Sequence, residues 1–285
     1  MSDMPLLAAV RHTSGTTVGV ALVLFHVLLA IFAPLLIPYG ENALAGPVLL
    51  PPGSDNFVLG TDGIGRDYLS RLMMGGRTSI FVAMVGVLGA VTIGSVIAVS
   101  AAYFGGLYDD VVMRIVDTKI SIPGILFVAL FVVGFGRSIM VLTIVVGLSY
   151  MPGAIRIVRS QALTQVPLAY VRSARLRGET SISIILRELM PNVMEVVWVE
   201  FAIRTSSAIL TVSALSFLGL GITPPTPDWG LMIADGVNQI YYAPWLVLLP
   251  AALISSLVIG LNFATEGLAN ALGLDAARGL HGGGR

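Results

Sequence analysis

The sequence predicts an all-α polytopic membrane protein with six transmembrane helices, and three observations lead to this fold class. First, 56% of the 285 residues are hydrophobic and only 11% are charged, against about 25% charged residues in an ordinary soluble domain. Second, several apolar runs reach the roughly 20 helical residues that a hydrocarbon core about 30 Å thick requires. Third, arginines are concentrated in some connecting stretches and absent from others. This composition argues against a soluble globular enzyme.

The charge and cysteine counts argue against several kinds of site. The formal net charge is zero, and cysteine is absent. No bulk attraction to nucleic acid is therefore expected, and disulfides, thiolate metal sites and cysteine nucleophiles are excluded. The three histidines are too scattered in the chain to make a metal site. Lys119 is the only lysine among 16 basic residues and does not stand in a P-loop motif, so any ATP hydrolysis requires another chain.

Arginine placement orients the predicted spans. Residues 155–191 carry six arginines, whereas 215–243 carry no basic residue. The positive-inside rule therefore places 155–191 in the cytoplasm, and with six spans both termini are cytoplasmic. The first span is interpreted as a retained anchor, because it is long and ends in Pro34 and Pro38 without a small-x-small cleavage site.

The predicted organisation follows from these assignments. The spans are 18–38, 79–103, 112–133, 139–158, 193–214 and 244–265. The remaining segments are a cytoplasmic N-terminal tail at 1–17, extracytoplasmic loops at 39–78 and 215–243, a cytoplasmic segment at 159–192 and a cytoplasmic C-terminal tail at 266–285.

Small residues recur every four positions along the second span, which predicts a close helix contact. The stripe consists of Gly86, Ala90, Gly94, Ala98 and Ala102. In lipid, such stripes allow two helix backbones to approach each other. Plain helix packing accounts for the stripe, and a tight seam beside a translocation path is the alternative.

The cytoplasmic stretch 166–192 predicts two short amphipathic helices. Pro167 suits a helix start, Gly178 suits a helix stop, and Thr180 or Ser181 can cap the second helix. Pro191 then opens the fifth span. Such a pair of helices either lies on anionic lipid or fills a groove on a cytosolic partner and transmits its motion to the spans.

The order of residues in this stretch favours the second use. Tyr170 to Gly178 reads Tyr-Val-Arg-Ser-Ala-Arg-Leu-Arg-Gly. After nine intervening residues the chain continues with Glu-Leu-Met-Pro-Asn. This resembles the EAA loop of permease subunits in bacterial ABC importers, which reads Glu-Ala-Ala, three residues, Gly, nine residues and Ile-x-Leu-Pro. The spacing of Ala174, Gly178 and Pro191 matches that pattern without a gap.

Three further segments resemble the C-type permeases of the dipeptide/oligopeptide/nickel subfamily. They are residues 59–72, 102–106 and 215–230. The resemblance implies a type I ABC importer permease (MetI-like) that lies in the cytoplasmic membrane and has a cytoplasmic coupling helix. It implies as partners a second homologous permease, two ATP-binding subunits, an extracytoplasmic solute-binding protein and membrane lipid. ATP and Mg are then expected on the ATPase subunits, with no cofactor in this chain.

The resemblance also assigns residues that couple to the ATPase. They are Tyr170, Arg172, Ser173, Ala174, Arg175, Leu176, Gly178, Arg187 and Pro191. Arg172 stands where the family pattern has glutamate, which inverts one charge at the expected contact. We therefore expect a matched ATPase with a compensating acid.

A second group is expected at the outer face, as a binding-protein dock or outer gate. Its members are Asp62, Arg66, Asp67, Phe217, Pro224, Pro225 and Trp229. The glycine-rich run 60–65 has no lysine, so it is a turn-rich loop rather than a phosphate site. Its charged residues, with Arg71, either pair with one another or form a solvated surface. The prolines mark rigid, non-helical backbone. Near the outer face of the bilayer such backbone is tolerated only where it is buried in protein or faces water.

Ionisable residues within spans are the third group, since they are costly in hydrocarbon. Glu195, Glu200 and Arg204 are candidates to line the path. Glu200 and Arg204 are four residues apart and either pair on one helix face or contact substrate termini. An ion-coupled secondary transporter that titrates Asp117, Glu195 or Glu200 is the alternative function, and a copurifying ATPase would discriminate against it.

The chain has no His-Glu-x-x-His and no Gly-x-Ser-x-Gly motif, so an intramembrane enzyme is disfavoured. The motifs do not separate dipeptides, oligopeptides, nickel chelates, glutathione and haem as the substrate.

Overall fold

A computed structural model describes residues 14–54 and 56–271, and the regular secondary structure of this part is helical, with loops between the helices and isolated β-bridges in the first long loop. The predicted tails fall outside it before residue 14 and after residue 271. The helices are α1 Ser14–Leu36, α2 Tyr68–Phe104, α3 Gly106–Ile120, α4 Gly124–Phe135, α5 Ile139–Gln165, α6 Ala169–Leu176, α7 Ser181–Ser183, the π-helix π1 Ile184–Leu189, α8 Met190–Phe217, α9 Trp229–Val237 and α10 Trp245–Ala271.

The all-α class is confirmed, and the count of six spans stays a prediction. Within the described residues, four helices, α1, α2, α5 and α10, are long and apolar enough to cross a membrane. The pair α3–α4 adds a fifth if it counts as one bent span. The predicted fifth span, 193–214, lies within α8, which carries Glu195, Glu200 and Arg204 and is not among these four helices.

The predicted span 112–133 is not one continuous helix. The chain is helical from Gly106, stops at Ile120 and restarts at Gly124 with a bend of 86°. Pro123 supplies the physical reason, because it has no N–H for the preceding turn and disfavours helical backbone in the residue before it. A hydropathy window averages across this break.

The boundaries of the second span and its preceding loop also need correction. Helix α2 begins at Tyr68 rather than at 79, so the end of the predicted loop 39–78 is helical. The Asp67 carboxylate caps this helix, accepting a hydrogen bond from the Ser70 backbone N–H at 2.8 Å. Polar residues in the first turns of α2 hide this start from an apolar count. Similarly, α5 runs to Gln165 beyond the predicted 158, and α9 forms within the predicted loop 215–243.

Helix α2 packs most extensively on α5 and α8, and the hydrophobic core lies among these helices. All five residues of the small-residue stripe are buried. A Cβ atom at Gly86 would lie 2.7 Å from the Thr143 carbonyl oxygen, and one at Gly147 would lie 2.6 Å from the Gly86 carbonyl oxygen. The two backbones therefore touch, which supports the packing interpretation of the stripe.

Candidate transport site and coupling segment

The predicted coupling segment, residues 168–190, lies at the end of the bundle where α2 terminates. The Arg175 guanidinium sits 4.6 Å from the centroid of the Tyr103 ring. The Tyr170 hydroxyl donates a hydrogen bond to the Gln165 side-chain oxygen at 3.2 Å. These contacts hold α6 against the ends of α2 and α5.

Gly178 ends α6 as the sequence predicts. Its φ of +74° lies in the left-handed region, which glycine adopts without a steric penalty. The Glu179 N–H donates to the Ala174 carbonyl at 3.2 Å, and the Gly178 N–H donates to the Arg175 carbonyl at 3.0 Å. This pair of bonds is a Schellman motif, which satisfies carbonyls at the helix end.

Replacing Gly178 with valine is expected to weaken this turn, because a β-branched residue is a genuine outlier at positive φ. A Cβ at this position meets no atom within 4 Å, so the effect is backbone strain alone. We expect a loss of about 1–3 kcal/mol in local stability, measured as faster hydrogen exchange across residues 174–183. Gly178→Asn is the matched control, since asparagine tolerates the left-handed region. Equal protection in the valine variant and wild type would contradict this assignment.

The second arm of the segment is capped as predicted but is not a separate helix. The Thr180 hydroxyl accepts a hydrogen bond from the Ser183 N–H at 3.3 Å. From Ile184 to Leu189 the backbone is π-helical and continues without a break into α8. Pro191 lies in the first turn of α8 and cannot donate to the turn before it. A π turn ahead of this proline accommodates the missing donor. The arm is therefore the first part of the long helix.

The coupling segment has one buried face and one exposed face. Val171 and Ala174 are buried, whereas Leu176 is 89% exposed. The other predicted coupling residues that are exposed are Arg172, Ser173, Arg175, Gly178, Arg187 and Pro191. An exposed leucine at the tip of a short helix, beside cationic side chains, is suited to a partner's groove. The coupling role of these residues stays a prediction.

Sequence reasoning missed the ion pairs that brace the glycine joint. Arg177 Nη2 lies 2.6 Å from Glu179 Oε1 and 3.6 Å from Glu188 Oε1, so one guanidinium joins α6 to π1. The hydrogen bond from Arg177 lowers the pKa of the half-buried Glu179 carboxyl. The available signal was the pair of opposite charges directly on either side of Gly178.

At the opposite end of the bundle, the loop before α2 folds around Asp62. This carboxylate accepts from the Ile64 and Arg66 backbone N–H groups, each at 3.0 Å, and from Arg66 Nε at 2.6 Å. Arg71 Nε lies 3.4 Å away. Asp62, Asp67 and Arg71 are buried. The pairing alternative is therefore confirmed for Asp62, and a solvated surface is wrong for it.

Trp229 and its neighbour Asp228 also face the interior. Trp229 is 1% exposed, and its indole donates to the Leu72 carbonyl at 2.9 Å. Asp228 caps α9, accepting from the Leu231 N–H at 3.1 Å and from the Ser79 hydroxyl at 2.6 Å. Burial raises the pKa of Asp228. Trp229 thus fixes α9 to α2 rather than presenting a surface.

Other members of the outer group are accessible. Phe217, Pro224 and Pro225 are exposed, and Arg66 is half-buried. The Pro225 carbonyl lies 3.4 Å from Arg71 Nη1, which ties the proline segment to the start of α2. A role in docking or gating stays a prediction for these residues.

A cavity of about 270 Å³, lined by both polar side chains and isoleucines, opens at the break between α3 and α4, against α5 and α8. Lys119 Nζ donates to the Ser149 carbonyl at 2.6 Å and lies 3.2 Å from its hydroxyl. Across the cavity the Tyr150 and Thr211 hydroxyls are 2.7 Å apart. Arg204 is the second cation in its lining. Ammonium, guanidinium and hydroxyl groups thus surround one space between the long helices.

The structure brings only one of the three predicted path residues to this cavity. Arg204 reaches it and pairs with Glu200, so the predicted pair within α8 is confirmed. Glu195 is exposed and does not line it. The sequence did not predict Lys119 as a lining residue, although Pro123, four residues later, marks the break that opens the cavity.

The carboxylates that an ion-coupled transporter would titrate do not converge on this cavity. Asp117 pairs with Arg156 on the exposed side of α3. Within residues 14–54 and 56–271, no group of three or more His, Asp or Glu residues is arranged to hold a metal ion.

Residues 57–273 match the family described as the binding-protein-dependent transport system inner membrane component. The chain belongs to this family. The resemblance to ABC importer permeases in the coupling segment is thereby confirmed, and the family match covers that segment, the cavity and α9. The chain is therefore a multi-pass membrane permease.

Individual relatives extend the match to nearly the whole permease. It is 31% identical to a dipeptide transport system permease protein of Haemophilus influenzae, over 95% of this chain and 98% of that one. It is 37% identical to a peptide transport system permease protein of Salmonella typhimurium, over 95% of this chain and 90% of that one. It is 34% identical to a glutathione transport system permease protein of Pectobacterium atrosepticum, over 88% of this chain and 83% of that one.

Proposed function

We propose that this permease carries peptides or similar small solutes across the cytoplasmic membrane by alternating access, driven by ATP hydrolysis in partner subunits. The observation that carries the proposal is the continuity of the coupling segment with α8. Its exposed face is joined through Arg177 to π1, and π1 runs directly into the helix that holds Arg204. A push on the segment therefore moves the lining of the cavity.

The transmission distance is set by helix geometry. Arg204 follows Met190 by 14 residues, which at about 1.5 Å per residue is roughly 21 Å along α8. Two ATP-binding subunits that close on ATP would displace the coupling segments and open the path outward. A solute-binding protein would then release its cargo into the opened cavity, and hydrolysis would restore the inward state.

The proposed assembly pairs this chain with a second homologous permease, two ATP-binding subunits and an extracytoplasmic solute-binding protein. In this proposal all six predicted spans lie in the cytoplasmic membrane, and both termini lie in the cytoplasm. The names of the three relatives, all transport permeases for peptides or glutathione, support a peptide-like substrate. ATP and Mg bind the partner subunits in this proposal.

The test is reconstitution of the complete assembly in liposomes. We expect ATPase subunits to copurify with the chain, and loaded binding protein to stimulate both ATP hydrolysis and peptide uptake. Uptake that follows an ion gradient without ATP would instead support a secondary transporter.

Arg172→Glu is expected to weaken docking of the ATPase subunits. Arg172 is exposed and makes no ion pair within the described residues, so its charge is available to a partner. Losing a charge-assisted contact of about 1.5–3 kcal/mol corresponds to roughly tenfold to hundredfold weaker association. The measurement is ATPase-subunit recovery across a salt series. Arg172→Lys keeps the charge and serves as control, and recovery of the glutamate variant equal to wild type would refute the contact.

A further inference from the structure

The cavity at the α3–α4 break carries one positive charge that no carboxylate neutralises. Glu200 offsets Arg204. Lys119 has no carboxylate within salt-bridge distance in the part of the chain that the structure describes. The nearest acidic residue in sequence, Asp117, is engaged by Arg156. The net charge of the lining is therefore +1.

This charge lies deep along the helices. Ser149, which holds the Lys119 ammonium, is ten residues from the start of α5, and Arg204 is 13 residues from the end of α8. Each position is therefore about 15–20 Å from a helix end. An ionised group at such depth in a membrane protein is costly and marks a solute pathway by default.

The two cations have hydrogen-bond donors to spare. Arg204 donates to Glu200 through Nη2, and its Nη1 group makes no hydrogen bond among the described residues. The Lys119 ammonium has three donors; both of its hydrogen bonds go to Ser149, and it also lies 4.6 Å from the centroid of the Phe127 ring. A free guanidinium N–H beside an ammonium is the donor set that binds carboxylates.

We propose that this cavity binds the terminal carboxylate of the transported peptide, an inference that rests on the proposed function. One carboxylate cancels the net charge of +1, whereas a metal cation would add to it. A volume of about 270 Å³ is at the small end of ligand pockets and holds a terminal residue rather than a whole peptide. Recognition of one end leaves the remaining length of the peptide free.

The first test compares two probes on the assembled transporter in detergent, without binding protein. Dialanine with a free carboxylate is expected to bind about tenfold to hundredfold more tightly than its C-terminal amide. In Lys119→Met this preference should fall to less than threefold, and Lys119→Arg should keep it. Copurification of all subunits establishes that each variant is assembled. Equal binding of acid and amide by the wild-type complex would overturn the proposal.

A second variant tests the site without removing a charge. A Cβ atom at Gly153 would lie 2.6 Å from Arg204 Nη1, so Gly153→Ala forces the guanidinium to shift, and copurification of all subunits again establishes that the variant is assembled. We expect weaker binding of the free acid and unchanged binding of the amide. If binding of the free acid and binding of the amide weakened to the same extent, the result would count against carboxylate recognition. Failure of the wild-type chain to assemble with any ATPase would overturn the proposed function itself, a different outcome from equal binding of the two probes.

Discussion

Trp229→Ala is expected to destabilise the permease by about 3–5 kcal/mol, the usual cost of deleting a large aromatic side chain from a packed interior. The indole is almost fully buried and donates a hydrogen bond to the Leu72 carbonyl. Truncation leaves a cavity and removes this hydrogen bond between α9 and α2. A Cβ atom at Gly76 would lie 2.4 Å from the indole, so the ring lies directly against the backbone of α2. The first element to loosen should be α9.

Thermal unfolding in detergent measures this loss, and hydrogen exchange in residues 228–237 locates it. Trp198→Ala is the matched control, because Trp198 is 52% exposed and its loss should change stability by less than about 0.5 kcal/mol. A similar shift in unfolding temperature for both variants would show that Trp229 is not an interior support.

Glu200→Gln is expected to cost about 3–5 kcal/mol, because it leaves the Arg204 guanidinium buried without its counter-charge. The two side chains are 10% and 17% exposed, so water compensates little for the missing carboxylate. The net charge of the cavity would rise from +1 to +2. Stability is followed by chemical denaturation of the purified complex.

The control for this change is Glu195→Gln on the same helix, where the glutamate is exposed. We expect it to be close to neutral. The double variant Glu200→Gln/Arg204→Met should recover most of the lost stability, because it removes the unpaired charge as well. A double variant as unstable as the single one would mean that the pair does not account for the effect.

The coupling segment is the part of this permease that the sequence predicts best. Its helix stop, its cap at Thr180 and the proline that opens α8 all depend on backbone preferences of single residues, which act over one turn. The π-helical continuity with α8 was not predicted, because apolar spacing cannot distinguish a separate short helix from the extension of a longer one.

The outer loop shows the opposite case. Asp62 and Arg66 carry charges that indicate a solvated surface, yet the carboxylate is buried among backbone N–H groups and two guanidinium groups. Burial of a charge depends on partners that only the folded chain assembles. Trp229, predicted at a dock or gate, is buried for the same reason.

By itself the sequence determined that this is a helical membrane protein and that it resembles ABC importer permeases, since composition and motif spacing are local properties. The i,i+4 spacing of Glu200 and Arg204 made their pairing one of two alternatives, and the structure shows the pair. Only the tertiary structure decided that Lys119 and Arg204 share a cavity, because they lie 85 residues apart on α3 and α8, with α4, α5 and the coupling segment between them in the chain. Proximity of that kind arises from packing of the helices, which no window along the chain contains.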